Sequence, residues 1–418
     1  MNVRKLLFNV IDRKNGSPVA KGIHDLSFQF DSGFTSADER KRDIVHHITD
    51  TVPYYRAYRG AELSELPVIE KRIIKENQER FVSDAYAAKL TSLRKATTSG
   101  SYGTPFTFYL NPEKRSRMIA EVYFFGSGSG FEVGRKHAYL VAKKKSKFQQ
   151  FTQNQLMITV GKLDDSWCQS TVETLRKTGT KVVVGYASAI ERLAIYLLSR
   201  SEVLEMDGVI TISEVLSDEA RSRIGKAFQS PAISRYSTEE LGVLANQDTT
   251  GQFFYLNQAN YFIEILKQDS EEPASVGELG RIVVTDYFNR SMPLVRYDIG
   301  DLATPLEIQN GLVTKIDRVE GRRLAVIRNV NGDVISSFQI NGALRESQDI
   351  VQFQFSQEGV ADYKLRAVVK QPIDEAVVVK LYKNILGDSA RIQLEYVDDI
   401  PALPSGKRPY ILQNYYQN

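Results

Sequence analysis

The chain has 418 residues, room for two or three domains with a large core. Its 42% hydrophobic and 25% charged residues are ordinary for a soluble globular protein, and a formal net charge of +3 argues against the basic face of a dedicated nucleic-acid binder. One cysteine, Cys168, rules out an intramolecular disulfide framework and fits a reducing cytoplasm, while four histidines, two of them adjacent at His46-His47, make a poor zinc set. The N-terminal apolar run is short and interrupted by Asn9 and Asp12, and no stretch reaches the ~20 apolar residues of a membrane span. The expectation is a cytoplasmic protein with no membrane span and no nucleic-acid partner.

Residues 1–95 read as helical and irregular. The segment Ala96-Thr-Thr-Ser-Gly-Ser-Tyr-Gly-Thr-Pro-Phe106 then gathers small hydroxyl and glycine residues ahead of a short strand to Leu110. Such a loop presents backbone N–H and O–H donors suited to a polyphosphate, although without the Lys-Ser/Thr of a Walker A loop; a plain linker has the same composition. Asn111-Pro112-Glu113 starts a helix whose apolar face is read as Met118, Ile119, Val122 and Tyr123. Its end, Gly126-Ser-Gly-Ser-Gly130, closes a helix and so turns no helix N-terminus toward a phosphate. Strands at 156–160, 181–185 and 208–212 alternate with helices capped by Asp165, Ser188 and Ser217, which is the pattern of a parallel sheet with helices on its faces. Glu239-Glu240 follow Tyr236, and as local signals they fit either cation ligands or the first-turn acids of a helix.

Residues 250–310 read as several strands, 253–256, 261–266 and 281–285 among them. The last leads into Met292-Pro-Leu-Val-Arg-Tyr-Asp-Ile-Gly-Asp-Leu302, where Gly300 permits a tight reversal and leaves two carboxylates near a strand end. An Asp there, Asp298 or Asp301, fits either the two hydroxyls of a ribose or a turn that caps its own backbone. After Arg318-Val-Glu-Gly-Arg322, Asn331-Gly332 signals a two-residue hairpin, and strands and a short helix fill out a small α+β region. Ile400-Pro-Ala-Leu-Pro-Ser-Gly-Lys-Arg408 closes the chain with a loop lysine, ordinarily a solvated one.

Taken in order, these segments resemble the adenylate-forming ligases, and within them the phenylacetate–CoA ligase branch and its CapK-like members from capsular polysaccharide gene clusters. The resemblance implies an α/β fold: a large adenylation domain with mostly parallel sheets covered by helices (1–321) and a small mobile α+β lid (322–418). It implies ATP and Mg²⁺ as cofactors. It places the pyrophosphate on Thr98, Ser99, Gly100, Ser101, Gly103 and Thr104, the adenine at Ser213-Glu214 and under Tyr236, the ribose on Asp301 and Arg322, the Mg²⁺ on Glu240, and the catalytic cation at Lys407. Tyr102, Ala187, Ser237 and Asp298 depart from the family pattern, and Arg323-Leu324-Ala325 stands where a polar or acidic hinge is usual. The implied partners are a small carboxylic acid and an acceptor, which is CoA, a carrier-protein thiol or an amine. A homodimer is the expectation from relatives. Cys168 as an acyl-accepting nucleophile is set against a small core residue. The rival reading of the whole chain is a catalytically impaired nucleotide-binding relative that serves as a scaffold in polysaccharide biosynthesis.

Overall fold

A computed structural model describes residues 3–97, 107–142, 145–161, 163–322, 327–335, 339–340, 343–344, 349–401 and 409–415. The chain divides into two compact units: residues 1–137, 145–156 and 233–319, and residues 138–144, 157–232 and 320–418.

In the first unit three helices, Val3–Lys14, Pro18–Ser32 and Ala37–Thr51, precede the Pro112–Ser127 helix and a set of paired strands. Pro18 stands at a helix start where its missing N–H costs nothing, and the buried Asp12 carboxylate accepts from the N–H groups of Val19 and Ala20 at 3.0 Å each. The strands lie in the order Tyr261–Leu266, Gly280–Asp286, Tyr297–Gln309, Leu312–Arg322, Phe254–Leu256, Gly242–Gln247 and Ala232–Thr238. Pairing here is antiparallel wherever the register is defined, except that Ile69–Glu70 runs parallel to Tyr297-Asp298. Ile263, Ile265, Ile282, Val284, Tyr297 and Leu244 form the buried apolar side of this sheet.

The second unit holds the parallel part. His137–Val141 pairs with Val182–Tyr186, and that strand with Gly208–Ile212. Val182–Tyr186 is buried along its whole length, as expected of a strand covered on both faces by helices. The helices are Asp165–Thr178, Ala187–Leu198 and Asp218–Phe228. Asp164 rather than Asp165 caps the first, and Gly179 ends it in the left-handed region. The α/β class therefore holds: the helix-covered strands of residues 137–212 pair in parallel, the strands of residues 232–302 pair antiparallel with one another where the register is defined, and parallel pairs return where Asp362–Val369 meets Arg391–Tyr396 and Ile350–Gln357 meets Ile411–Gln413. Further along, a four-stranded sheet runs Arg391–Tyr396, Asp362–Val369, Ile350–Gln357, Ile411–Gln413. Helix Glu375–Leu386, capped by Asp374, lays Val378, Tyr382 and Leu386 into the same apolar cluster as Phe355, Tyr363 and Leu365.

Two expectations change. The Asn331-Gly332 hairpin forms, but as a three-residue loop: Asn329 N–H donates to Asp333 O (2.9 Å), and Gly332 alone of the pair takes a positive φ, 90°. The Pro112–Ser127 helix buries the face read from the sequence only in part: Met118, Val122 and Tyr123 are half-buried, with Met118 against the core. Ile119 is exposed, and the buried positions are Lys114, Ala120, Glu121 and Gly126, because the two charged side chains meet partners described below.

Candidate nucleotide site

Strands Ala232–Thr238 and Gly242–Gln247 form a hairpin whose connection is Glu239-Glu240-Leu241. The two acids therefore lie on a strand-to-strand turn, and no helix starts there. Glu239 is exposed and Glu240 half-buried. A buried polar cluster grips the turn from behind. Glu121 Oε2 accepts from Val243 N–H at 2.9 Å, and Glu121 Oε1 from Asn260 Nδ2 at 2.7 Å. The Tyr261 hydroxyl stands 2.5 Å from Leu241 O and 2.8 Å from Glu121 Oε1, and accepts from Lys114 Nζ at 2.9 Å. Lys114 is also ion-paired with Asp286 at 2.7 Å, both side chains fully buried. Burial raises the Glu121 carboxyl above its ordinary range, opposed by Lys114 and the hydrogen bonds it accepts. Nothing in local sequence signals this cluster beyond two charges seven apart on a helix; its partners come from residues 241–286.

The stretch from Met292 behaves differently from the reversal read in the sequence. Tyr297–Gln309 is one strand, and between Asp298 (opposite Val283) and Leu302 (opposite Arg281) it carries Ile299, Gly300 and Asp301 against the single residue Ile282. It is a bulge, which Gly300 permits with a φ of 81°. The bulge separates the two carboxylates. Asp298 accepts from Gly300 N–H (2.9 Å) and Arg281 Nη1 (3.1 Å), so it fastens the bulge. Asp301 instead accepts from the Tyr236 hydroxyl at 2.5 Å, across 65 residues of sequence. The neighbouring Tyr297 hydroxyl donates to Glu240 Oε1 at 3.3 Å. Tyr236, Asp301, Glu240 and the unforeseen Tyr297 are thus brought together in the first unit.

In the second unit, the strand Gly208–Ile212 runs into Ser213, which has a φ of 68°, and Glu214. Helix Ala187–Leu198 has no side-chain cap of its own, and Glu214 supplies one: its Oε2 accepts from Ser188 N–H at 2.8 Å. Ser213-Glu214 and this helix start both lie at the carboxyl ends of adjacent parallel strands, the edge where α/β sheets take ligands. Tyr410, three residues past Lys407, points its hydroxyl at Glu191 Oε2 (3.5 Å) on the same helix, and Glu191 is held by Arg223. Burial and the charges of Glu191 and Glu214 push the Tyr410 phenol well above its usual value. Strand Leu312–Arg322 ends on Arg322. Lys407 and the six loop residues Thr98, Ser99, Gly100, Ser101, Gly103 and Thr104 lie outside the described residues. Cys168 is buried, and burial pushes its thiol up to about 11, which suits a core residue and not a nucleophile.

This geometry sits on a known architecture. The fold is that of the adenylate-forming ligases. The chain matches 2-hydroxyisobutyryl-CoA ligase in its postadenylation state with 2-HIB-AMP, with a TM-score of 0.69 at 15% identity over 90% of this chain and 88% of that one. It also matches ATP-bound MatB from Rhodopseudomonas palustris, with a TM-score of 0.55 at 15% identity over 75% and 65%. More particularly, residues 327–414 match the CapK C-terminal domain, and the chain is 26% identical over 377 residues to Protein CapK of Staphylococcus aureus, covering 85% of this chain and 81% of that protein. Among the described residues no helix is long and apolar enough to cross a membrane.

Proposed function

We propose that this chain is an ATP-dependent, AMP-forming acid ligase of the phenylacetate–CoA ligase-like, CapK branch. It activates a carboxylic acid as an acyl-adenylate and passes the acyl group to a thiol or amine: CoA, a carrier protein, or an amino group in polysaccharide synthesis. A carboxylate is a poor acyl donor because its oxygen leaves badly. Its attack on the α-phosphate of ATP expels pyrophosphate and makes AMP the leaving group. In this reading Tyr236 offers a flat face to adenine, Asp301 and Arg322 take the ribose, Ser213-Glu214 border the base, and residues 98–104 hold the outer phosphates. Glu240 suits Mg²⁺, since a half-buried carboxylate on a turn supplies one hard oxygen ligand and leaves the rest to phosphates and water. When bound, Mg²⁺ withdraws charge from the phosphate oxygens. Lys407, on the lid of residues 322–418, neutralises charge building at the α-phosphate.

The observation that supports this most directly is the Tyr236–Asp301 contact of 2.5 Å. A bulge turns away the nearer carboxylate, Asp298, and leaves Asp301 beside the one tyrosine that the family motif assigns to the base. The test is ATP–pyrophosphate exchange over a panel of aryl and aliphatic acids, with mass spectrometry of the acyl-AMP. Wild-type protein supports exchange with at least one acid, and Lys407→Ala abolishes it while the fold persists. Full exchange in Lys407→Ala removes that residue from the reaction. Absence of exchange with every acid, together with no thermal shift by ATP and Mg²⁺, favours the scaffold reading instead.

A further inference from the structure

The N-terminal helix is amphipathic, and it is mounted with its apolar side outward. Over Val3–Lys14 the residues turned to the protein are Phe8, which packs edge-on to Tyr123 (5.8 Å), and Asp12, which is buried and caps the next helix. Val3, Leu6, Leu7, Val10 and Ile11 follow the i, i+3, i+4, i+7, i+8 spacing of a single helix face. All five are exposed, from 41% for Val10 to 70% for Val3. A second apolar pair lies alongside. Phe148 and Phe151, on the short helix Lys147–Thr152, are 75% and 69% exposed. Arg4 ties the two helices: its Nε donates to Phe151 O at 3.1 Å, and its guanidinium stands 5.0 Å from the Phe151 ring. A folded protein gains nothing by holding seven large apolar side chains in water.

Apart from Asp12, which is buried in its capping role, the charges on these two helices are all positive: Arg4, Lys5, Arg13 and Lys14 on the first and Lys147 on the second. Glu132, outside both helices, pairs with Lys5 at 3.5 Å and leaves the other four cations in excess. A second copy of the chain is a poor occupant. Parallel helices would set like against like, and antiparallel helices would set Arg4-Lys5 against Arg13-Lys14, again cation on cation. An anionic bilayer surface matches both features: the apolar arc enters the headgroup–acyl boundary, and the cations meet lipid phosphates. We propose that the face formed by Val3, Leu6, Leu7, Val10, Ile11 and Phe148/Phe151 docks this protein on anionic lipid bilayers without spanning them. This surface is separate from the nucleotide site and stands or falls apart from the ligase reading.

The experiment is sedimentation of the full chain with phosphatidylcholine vesicles, with and without phosphatidylglycerol. The protein co-sediments with the phosphatidylglycerol vesicles and not with phosphatidylcholine alone. Raising salt to about 1 M, where the screening length is ~3 Å, weakens the binding. Leu7→Ser with Val10→Ser lowers the partition coefficient ~10-fold or more, and so does Phe148→Ser with Phe151→Ser; both pairs are exposed, so circular dichroism stays unchanged. The proposal is overturned if the protein ignores phosphatidylglycerol vesicles, or if both substituted proteins bind them as wild type does. It is also overturned if light scattering finds a self-associated chain that the same substitutions dissolve, which would make the face a contact between copies.

Discussion

Gly242→Ala is the most informative single change near the candidate site. Gly242 has a φ of 118°, where an L side chain is strained by about 1–3 kcal/mol. A Cβ there would collide with Glu121 Oε2 and stand 2.8 Å from the Tyr261 hydroxyl oxygen, closer than real contacts allow. Neither atom moves cheaply. Glu121 Oε2 satisfies Val243 N–H, and Tyr261 is locked between Leu241, Glu121 and Lys114. Orphaning one such buried group costs about 1–3 kcal/mol more. The expected loss is therefore about 2–6 kcal/mol, adding the two costs. Gly277→Ala is the control. Its φ of 84° brings the same kind of backbone penalty, but nothing lies within 4 Å of the added Cβ, so ~1–2 kcal/mol is expected. Urea midpoints of the first unfolding transition compare the two, and ATP–pyrophosphate exchange follows the function. Gly242→Ala should also raise the Mg²⁺ needed for half-maximal exchange, because Glu240 lies two residues upstream on the displaced turn. Equal destabilisation by the two alanines would refute the claim that the Glu121–Tyr261 cluster braces the turn.

Other outcomes follow from the same contacts. Asp301→Ala should weaken ATP about 100-fold by calorimetry and Tyr236→Phe about 10-fold, since the phenylalanine keeps the flat face and loses only the bond to a charged acceptor; the reverse order would take Asp301 out of the ribose site. Lys114→Met should destabilise by about 3–5 kcal/mol because it leaves Asp286 buried and unpaired, and adding Asp286→Asn should recover part of the loss in the same denaturation assay. Burial raises the Asp25 carboxyl, but hydrogen bonds from Arg117 and Arg40 outweigh it and hold it below the ordinary 3.8. A depressed carboxylate stabilises the fold above its unfolded value and loses that contribution as pH falls through 3.8 and below, so Asp25→Asn should flatten the acid limb of stability in that window and leave its slope near neutrality alone.

How much of this was legible in the sequence depends on the range of the forces that set each feature. Local signals carried well. The strand Gly208–Ile212, the Ser217-capped helix to Phe228 and the strand Tyr261–Leu266 form where periodicity and capping residues place them. Asp301 and Tyr236 were singled out by type and motif order, and the fold brings them into contact. The bulge that makes them meet was not visible, because it depends on register: only the pairing of residues 281–283 against 298–302 sets Ile299, Gly300 and Asp301 against one residue. Long-range burial was equally hidden. A lysine and a glutamate on the Pro112–Ser127 helix read as surface charges until residues 241, 243, 260, 261 and 286 supply their partners.

Two of the four Asn-Gly dipeptides, each between paired strands, show where local reading stops. At Asn310-Gly311 both residues take positive φ, 50° and 76°, and they alone connect Tyr297–Gln309 to Leu312–Arg322. That is the primed two-residue turn whose twist suits long paired strands. At Asn331-Gly332 only the glycine is left-handed, and the Asn329 side chain organises the loop by accepting from Asn331 N–H (3.0 Å) and Asp333 N–H (2.9 Å). The chemistry of the dipeptide is the same in both places. Strands of thirteen and eleven residues impose their twist on the first, and strands of two residues, Ile327-Arg328 and Val334-Ile335, impose little on the second, so a neighbouring asparagine decides the turn. The longer hairpin is the one that carries Asp301 and ends on Arg322. A turn signal therefore gains meaning for the site only when the lengths of its flanking strands are read with it.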